Sequence, residues 1–492
     1  MRFLIICVVA IFSGSALSAQ NGTVPRWWQK YQTLLENGFG SSAKNTSSVS
    51  AGANTDASNE CGPQSETFIT LNTMNPSSVA GGSNEIFRLP MRGYSSQDGG
   101  ASWSATDLPL PPAIGTNGID FGSDPSLAFD TQGNLFYSYI VVYFSRGKGA
   151  NAINGTALAV AKSTDGGKTF PSANFFSFSS GKDHFNDKPM IAADTAAGSP
   201  FRDNLYLAWD AASGGSSSGG IRFARSTDHG ASFSVQRIDN PSGPGRVIAA
   251  QPFVGPNGEA YVAWNDIAAN TITLNRSFDG GVTFGTPGVV ASKSIPFDIG
   301  IPAISFRRAL IYPSCDADRS AGPHRGRLYC SWTDLASNGV NTDIFSAFSD
   351  DRGATWSTPH TVTDSLTGVD RFYQWLSVDA QTGEVNISFY DTRNDTTGQR
   401  FMTDVYFTRS SDGTSFAPNL RVSTVSSNEH DCSGVFPCSA IDYGNQYGDY
   451  EGLVSFGGVS HAIWTDSRNQ LNPSTGCRTN LTMEEVFSAR IQ

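Results

Sequence analysis

From about residue 62 onward, apolar and polar positions alternate in short runs, and clusters of Gly, Asp, Asn and Ser interrupt them. A period of two belongs to half-buried β-strands. Three strand types recur. One ends in a Trp-x-Asp or close variant: NLYLAWD (204–210), EAYVAWND (259–266), RLYCSWTD (327–334), EVNISFYD (384–391) and VSHAIWTD (459–466), with NLFYSYI (134–140) a looser relative. A second opens each unit: DPSLAFD, KPMIAAD, QPFVGP, IPAISF, QWLSVDA and DYEGLVSF. The third runs into a tight turn: ALAVAKS, GIRFARS, TITLNRS, DIFSAFS and DVYFTRS.

That turn is itself repeated: SQDGGASW, STDGGKTF, STDHGASF, SFDGGVTF, SDDRGATW and a shorter SSDGTSF. Its aspartates fall at 98, 165, 228, 279, 351 and 412. The spacing suits one four-stranded propeller blade per turn. The residue types have physical reasons. The Asp carboxylate accepts backbone N–H bonds inside the turn. The Gly adopts a backbone shape that a Cβ opposes. The closing aromatic folds back onto the hairpin. The first unit has a turn but no Trp-x-Asp strand, and the last has VSHAIWTD but no turn. Together they make seven units. The final strand, EEVFSARIQ, lacks an outer neighbour, which the N-terminal segment can supply. The fold expected is all-β: a β-propeller of four-stranded antiparallel blades, seven-bladed, with six blades the alternative. Before it, PRWWQKYQTLLENG (25–38) reads as a short amphipathic helix between Pro25 and Gly38, and 39–60 as a Ser/Gly/Asn/Ala-rich linker.

Composition adds the compartment. MRFLIICVVAIFSGSALSA has a basic residue, an apolar run and a small-residue end, the pattern of a secretory signal over 1–19. The division is then 1–19 signal, 20–61 helix and linker, and 62–492 propeller. No other stretch approaches the roughly 20 apolar residues of a membrane span. A formal net charge of −11 disfavours nucleic acid and anionic membrane surfaces as partners, and a monomer is expected. Six cysteines remain after Cys7 leaves with the signal, which in an exported chain implies three disulfides. Spacing favours Cys315–Cys330 and Cys432–Cys438, leaving Cys61 for Cys477, at opposite ends of the fold. Sequons occur at Asn21, Asn45, Asn154, Asn275, Asn386, Asn394 and Asn480, making a glycoprotein an expectation for a eukaryotic source.

The repeated turn is the Asp box. Asp-box blades together with SDPSLAFDTQGNLFYSYI, NDKPMIAAD, FYDTRND, GDYEGL and AIWTDSRN resemble the sialidase (neuraminidase) superfamily, and more closely the secreted Asp-box, or BNR-repeat, sialidase-like proteins. The resemblance covers about residues 62–492. It implies a propeller and a sialidase-like exo-glycosidase that holds an acidic sugar with three arginines, with a tyrosine nucleophile helped by a glutamate and an aspartate acid/base. Phe87-Arg88-Leu89-Pro90 matches the family's arginine motif in residue type, but it runs directly into the first box, whereas the family's motif opens an inner strand.

Topology points to a working face. The boxes sit between the third and fourth strands of each blade, so first-strand starts and second-strand ends share the opposite face. There lie Asp124, His184, Asp187, Asp298, Asp370, Arg371, Tyr373, Tyr447 and Asp449, and also Asp210, Asp266, Asp334, Asp391, Arg393, Asp466 and Arg468. Acid/base hydrolysis of a glycoside needs two carboxyls in different environments, and an acidic sugar needs a fork of arginine donors. The expected catalytic set is Asp124, Asp187 or Asp449 with Tyr447 or Tyr450. The substrate set is Arg371, Tyr373, Asp391, Arg393, Asp466 and Arg468. The bland counterparts are that the recurring Asp210, Asp266 and Asp334 cap turns, and that Asp391/Arg393 and Asp466/Arg468 are internal salt bridges. No cofactor is expected, although Asp124, Asp187 and Asp449 would suit Ca²⁺. Tyr450 and Glu451 are adjacent and point to opposite faces of a strand. That leaves a glycosidase, a non-catalytic glycan- or protein-binding propeller, and a polysaccharide lyase with His184 or a tyrosine as base.

Overall fold

A computed structural model describes residues 50–51, 54–58, 63–85, 90–112, 121–144, 153–180, 185–212, 219–243, 245–304, 308–430, 447–468 and 484–492. The helix expected over 25–38, Arg88, His184, and Cys61, Cys432, Cys438 and Cys477 lie outside these residues.

The alternating runs form seven antiparallel blades. Their innermost strands, here A1 to A7, are Gln64–Leu71, Phe121–Phe129, Phe185–Ala193, Val247–Val254, Ser314–Ala317, Arg371–Val378 and Gly452–Phe456. In blades one to six the chain steps outward through strands B, C and D in sequence order. In the seventh, Gly452–Phe456, Val459–Asp466 and Glu485–Ile491 are completed by Asn54–Asp56, which pairs Asn54 with Ala489 and Asp56 with Phe487. The N-terminal segment therefore supplies the outer strand that the sequence lacks at its end. Asn54, fully buried, donates to Val422 O and accepts from Thr424 and Arg468, tying this strand to blade six.

One strand differs from expectation. Ile301–Ile304, the described part of IPAISF, does not form the inner strand of blade five. Ser314–Ala317 does, and the segment before it forms a small hairpin of Asp298–Ile299 with Ala309–Leu310. Apolar periodicity alone could not choose between two candidate runs so close together. The disulfide chooses: Cys315 lies directly opposite Cys330 in the register and is bonded to it.

The first five repeated turns hold the same bond set. In the second, Ser163 Oγ donates to Asp165 at 2.7 Å while accepting from Gly167 N, and Thr169 N and Oγ1 both donate to Asp165. Gly167 sits at φ 90°, where a Cβ is disfavoured. The closing aromatics reach further than their own hairpin. Phe233 of blade three stacks on Phe176 of blade two at 4.5 Å, and Phe284 of blade four meets Phe223 of blade three at 4.7 Å. Blades splay toward the rim, and these rings fill the space between neighbours. Trp209, Trp264, Trp332 and Trp464 of the B strands are all buried. Of the described sequon asparagines, Asn275 and Asn386 are buried, and Asn394 donates to Asp404 and Tyr406, so all three carboxamides are engaged within the fold.

Candidate functional site

Five inner strands share an irregularity near their starts. In A1, A2, A3, A4 and A6 the register to strand B slips by one residue, two residues opposing one. At each slip a non-glycine residue takes positive φ: Glu66 (54°), Asp124 (58°), Lys188 (51°), Ala249 (62°) and Tyr373 (50°). Left-handed backbone at such residues is strained and persists only where surrounding structure enforces it. Bulges of this kind re-aim side chains.

Three of these blades, with the seventh, build one buried acidic cluster on the face away from the repeated turns. Asn84 donates to Glu66 at 2.7 Å and accepts from Asp124 N at 2.7 Å. Asp124 accepts from Ser123 Oγ at 3.0 Å and from Lys188 N at 3.1 Å. Lys188 Nζ reaches Asp449 of blade seven at 2.5 Å. Asp187 lies directly opposite Asp210 across strands A3 and B3 (Leu205–Ala212), with C3 (Ile221–Ser226) next outward. Tyr450 donates to Pro125 O and packs beside Tyr312. The cluster thus holds five carboxyls, Glu66, Asp124, Asp187, Asp210 and Asp449, around one ammonium.

Burial sets the protonation. It lifts Asp187 to about 6 and Asp210 to about 7, with Lys188 pulling both back. Asp124 is raised for the same reason. Burial opposes the charge on Lys188, but Asp449, Glu66, Asp124 and Asp187 outweigh it and push the ammonium up. Burial also pushes the Tyr450, Tyr447 and Tyr312 phenols well above their ordinary range, away from the phenolate form. Among the described residues no group of three acidic, histidine or cysteine side chains is arranged to hold a metal ion.

The sequence-expected residues therefore divide. Asp124, Asp187, Asp449 and Tyr450 come together. Tyr447 stands apart: its hydroxyl contacts Thr403 at 2.7 Å and Ser427 at 3.2 Å, and Ser427 donates to Glu429. Arg371, at the start of A6, bonds Asp391 at 2.9 Å and Asp343 at 3.2 Å. Arg393 bonds Asp391 and Asp364, each at 2.7 Å, and Arg468 bonds Asp466 at 2.6 Å. A substrate carboxylate held by these three guanidinium groups would have to displace protein carboxylates. Tyr373 packs its ring on Phe372 and Tyr390. Tyr450 faces the cluster, while Glu451, raised by burial, lies against Ser388 of blade six.

Sequence reasoning passed over Glu66, Lys188, Tyr312 and Glu429. A lysine at an inner-strand start, in a face otherwise set with carboxyls, was the available signal for Lys188. Among the Trp-x-Asp aspartates, Asp266 accepts from Ala269 N within its own turn, and Asp334 accepts from Ser294 N and Ile295 N of the connection that leaves blade four. Asp210 departs from that pattern. Its Oδ1 takes one long bond, 3.4 Å, from Ala249 N, and its Oδ2 has no hydrogen-bond partner among the described residues.

No family model matches the chain, and no curated protein does. Among solved structures it is similar to the leech intramolecular trans-sialidase, 13% identical over 71% of this chain and 68% of that one, TM-score 0.46. It is similar to the intramolecular trans-sialidase of Ruminococcus gnavus, 12% identical over 65% and 89%, TM-score 0.43. It is also similar to the NanB sialidase of Streptococcus pneumoniae, 10% identical over 69% and 67%, TM-score 0.44. The seven-blade architecture rests on the chain's own strand pairing. No helix among the described residues is long and apolar enough to cross a membrane.

Proposed function

We propose that the chain is a secreted glycoside hydrolase acting on a glycan at the inner-strand mouth, with Asp187 and Asp210 as its acid/base pair. One observation carries the reading: two carboxyls directly opposed across a strand pair, lifted by burial to about 6 and about 7. Near neutrality such a pair holds a proton on one member and leaves the other charged, the division of labour glycoside cleavage requires. The leader and the Cys315–Cys330 disulfide support export. Release of reducing ends from a glycan panel tests the proposal. Asp187→Asn and Asp210→Asn should each lower turnover by roughly 10²–10⁴-fold with the fold intact. Folded protein that turns over no glycan between pH 4 and 9 refutes it.

Burial favours a second reading. Asp187, the most exposed of the five carboxyls, is only 9% exposed, which suits a binding propeller without catalysis. Glycan binding without turnover would select that reading.

A further inference from the structure

The acidic cluster is lopsided. Lys188 sits on Asp449, on the blade-seven side. On the side of blades three to five are Asp210 Oδ2 and the Tyr312 hydroxyl, both buried and both without a hydrogen-bond partner among the described residues. Buried polar atoms are nearly always bonded, so two orphans in one cluster call for an explanation. Both face the same neighbours: Asp210, Asp124, Asp187 and Lys188 all act on the Tyr312 phenol. The bulged position of A4 supplies the reason no side chain serves them. Glu66, Asp124, Lys188 and Tyr373 carry long or polar groups at their bulges, whereas the fourth strand presents only the methyl of Ala249, whose backbone amide touches Asp210.

We propose that Asp210 and Tyr312 form a recognition site for a primary ammonium group, so that the glycan is one carrying free amines, a 2-amino-2-deoxy sugar. The inference rests on the glycan reading above and names its substrate class. Carboxylate and phenol oxygens both accept N–H bonds, and a charged donor makes the stronger bond. Five carboxyls against one ammonium favour a cation over a hydroxyl or an acid. Lys188 on Asp449 shows that the cluster already holds one ammonium in this way. The proton balance follows. Asp210 is faced by Asp187 and Lys188 of A3, Asp124 of A2 and Tyr312 ahead of A5, while strand C3 offers Ile221 and A4 the Ala249 amide. An ammonium arriving at Asp210 binds its carboxylate, and the proton that the carboxyl held passes to Asp187, directly opposite, so the pair keeps its acid.

The test is calorimetric titration of the full, folded chain with a β-1,4-linked glucosamine tetramer, its fully N-acetylated counterpart and a glucose tetramer. At pH 7 the amino tetramer should bind at least about 10-fold more tightly than either of the others, since one charge-assisted bond is worth about that much. Asp210→Asn and Tyr312→Phe should erase the preference, and Ala249→Lys, which places an internal ammonium in the same sector, should block binding. Ala249→Ser should keep it and controls for the strained backbone. Equal affinity for the amino and acetylated tetramers overturns the proposal, as does a preference that survives Asp210→Asn. Binding of the amino tetramer without cleavage would sink the hydrolase reading and leave this one standing. Cleavage of glycans without regard to amines would do the reverse.

Discussion

Lys188→Met removes the one ammonium of the cluster while keeping nearly the same side-chain length. The Lys188 and Asp449 side chains are 4% and 0% exposed and meet at 2.5 Å. Breaking a buried pair by deleting one partner costs about 3–5 kcal/mol, because the remaining charge stays buried and uncompensated. Scaling the per-residue unfolding entropy to this chain gives about 1 °C per kcal/mol, so Tm at pH 8 should fall by about 3–5 °C. The deficit should depend on pH. Lys188 pulls the Asp124, Asp187 and Asp210 pKa values down, so without it they rise further above their unfolded values. A carboxyl raised on folding contributes stability below its unfolded pKa and loses it as pH climbs through the folded one. The Tm difference between variant and wild type should therefore be largest above pH 7 and shrink toward pH 4.5. Differential scanning fluorimetry across that range measures it. A difference of the same size at pH 4.5 and pH 8 would mean that lost packing, not charge, is responsible.

Other perturbations reach the rest of the fold. Asn54→Ala removes the bonds that fasten the closing strand to blade six, leaving buried groups unsatisfied at about 1–3 kcal/mol each. Chemical denaturation should show that loss, and unchanged stability would count against the N-terminal closure. Reducing Cys315–Cys330, which closes a separation of 15 residues, should lower unfolding free energy by about 3 kcal/mol on a chain-entropy basis. Tm with and without reductant, against Cys315→Ser/Cys330→Ser, checks it. Asp279 is held down to about 2, chiefly by Thr283 and Ser277 against burial. Asp279→Asn should lower Tm at neutral pH, and because a depressed carboxyl loses its contribution as pH falls through its folded value, the difference should close between about pH 4 and 2.

Much of this fold is readable along the chain because its signals are local. A Ser-x-Asp-x-Gly turn is completed by bonds among neighbouring residues, so its spacing can be read as blade spacing. The Trp-x-Asp strands are legible for the same reason, and so is the capping role of Asp266. IPAISF was misplaced because its alternation is as good as that of the true inner strand, and only pairing with Cys330 separates them. The candidate site was half legible. Asp124, Asp187 and Asp449 were found from their topological position. Arg371, Arg393 and Arg468 were placed on the right face, but whether a guanidinium is free or already bonded to Asp391, Asp364 or Asp466 is a three-dimensional matter. Asp210 was grouped with its capping counterparts, and nothing in its strand marks it as the member left with an unpartnered oxygen.

Alone, the sequence determined the strand period, the repeat, the count of seven units, the need for an N-terminal strand to finish the last of them, and the face on which Asp124, Asp187 and Asp449 lie. Each depends on residues close in the chain or on a periodicity that survives without knowledge of contacts. Only the tertiary structure decided which charges cancel and which do not. Lys188 and Asp449 lie far apart in sequence and meet only because the ring closes. The bulges that turn Glu66, Asp124 and Lys188 together come from register slips with no residue signature. The pKa values of Asp187 and Asp210 are set by burial, a property of the assembled blades.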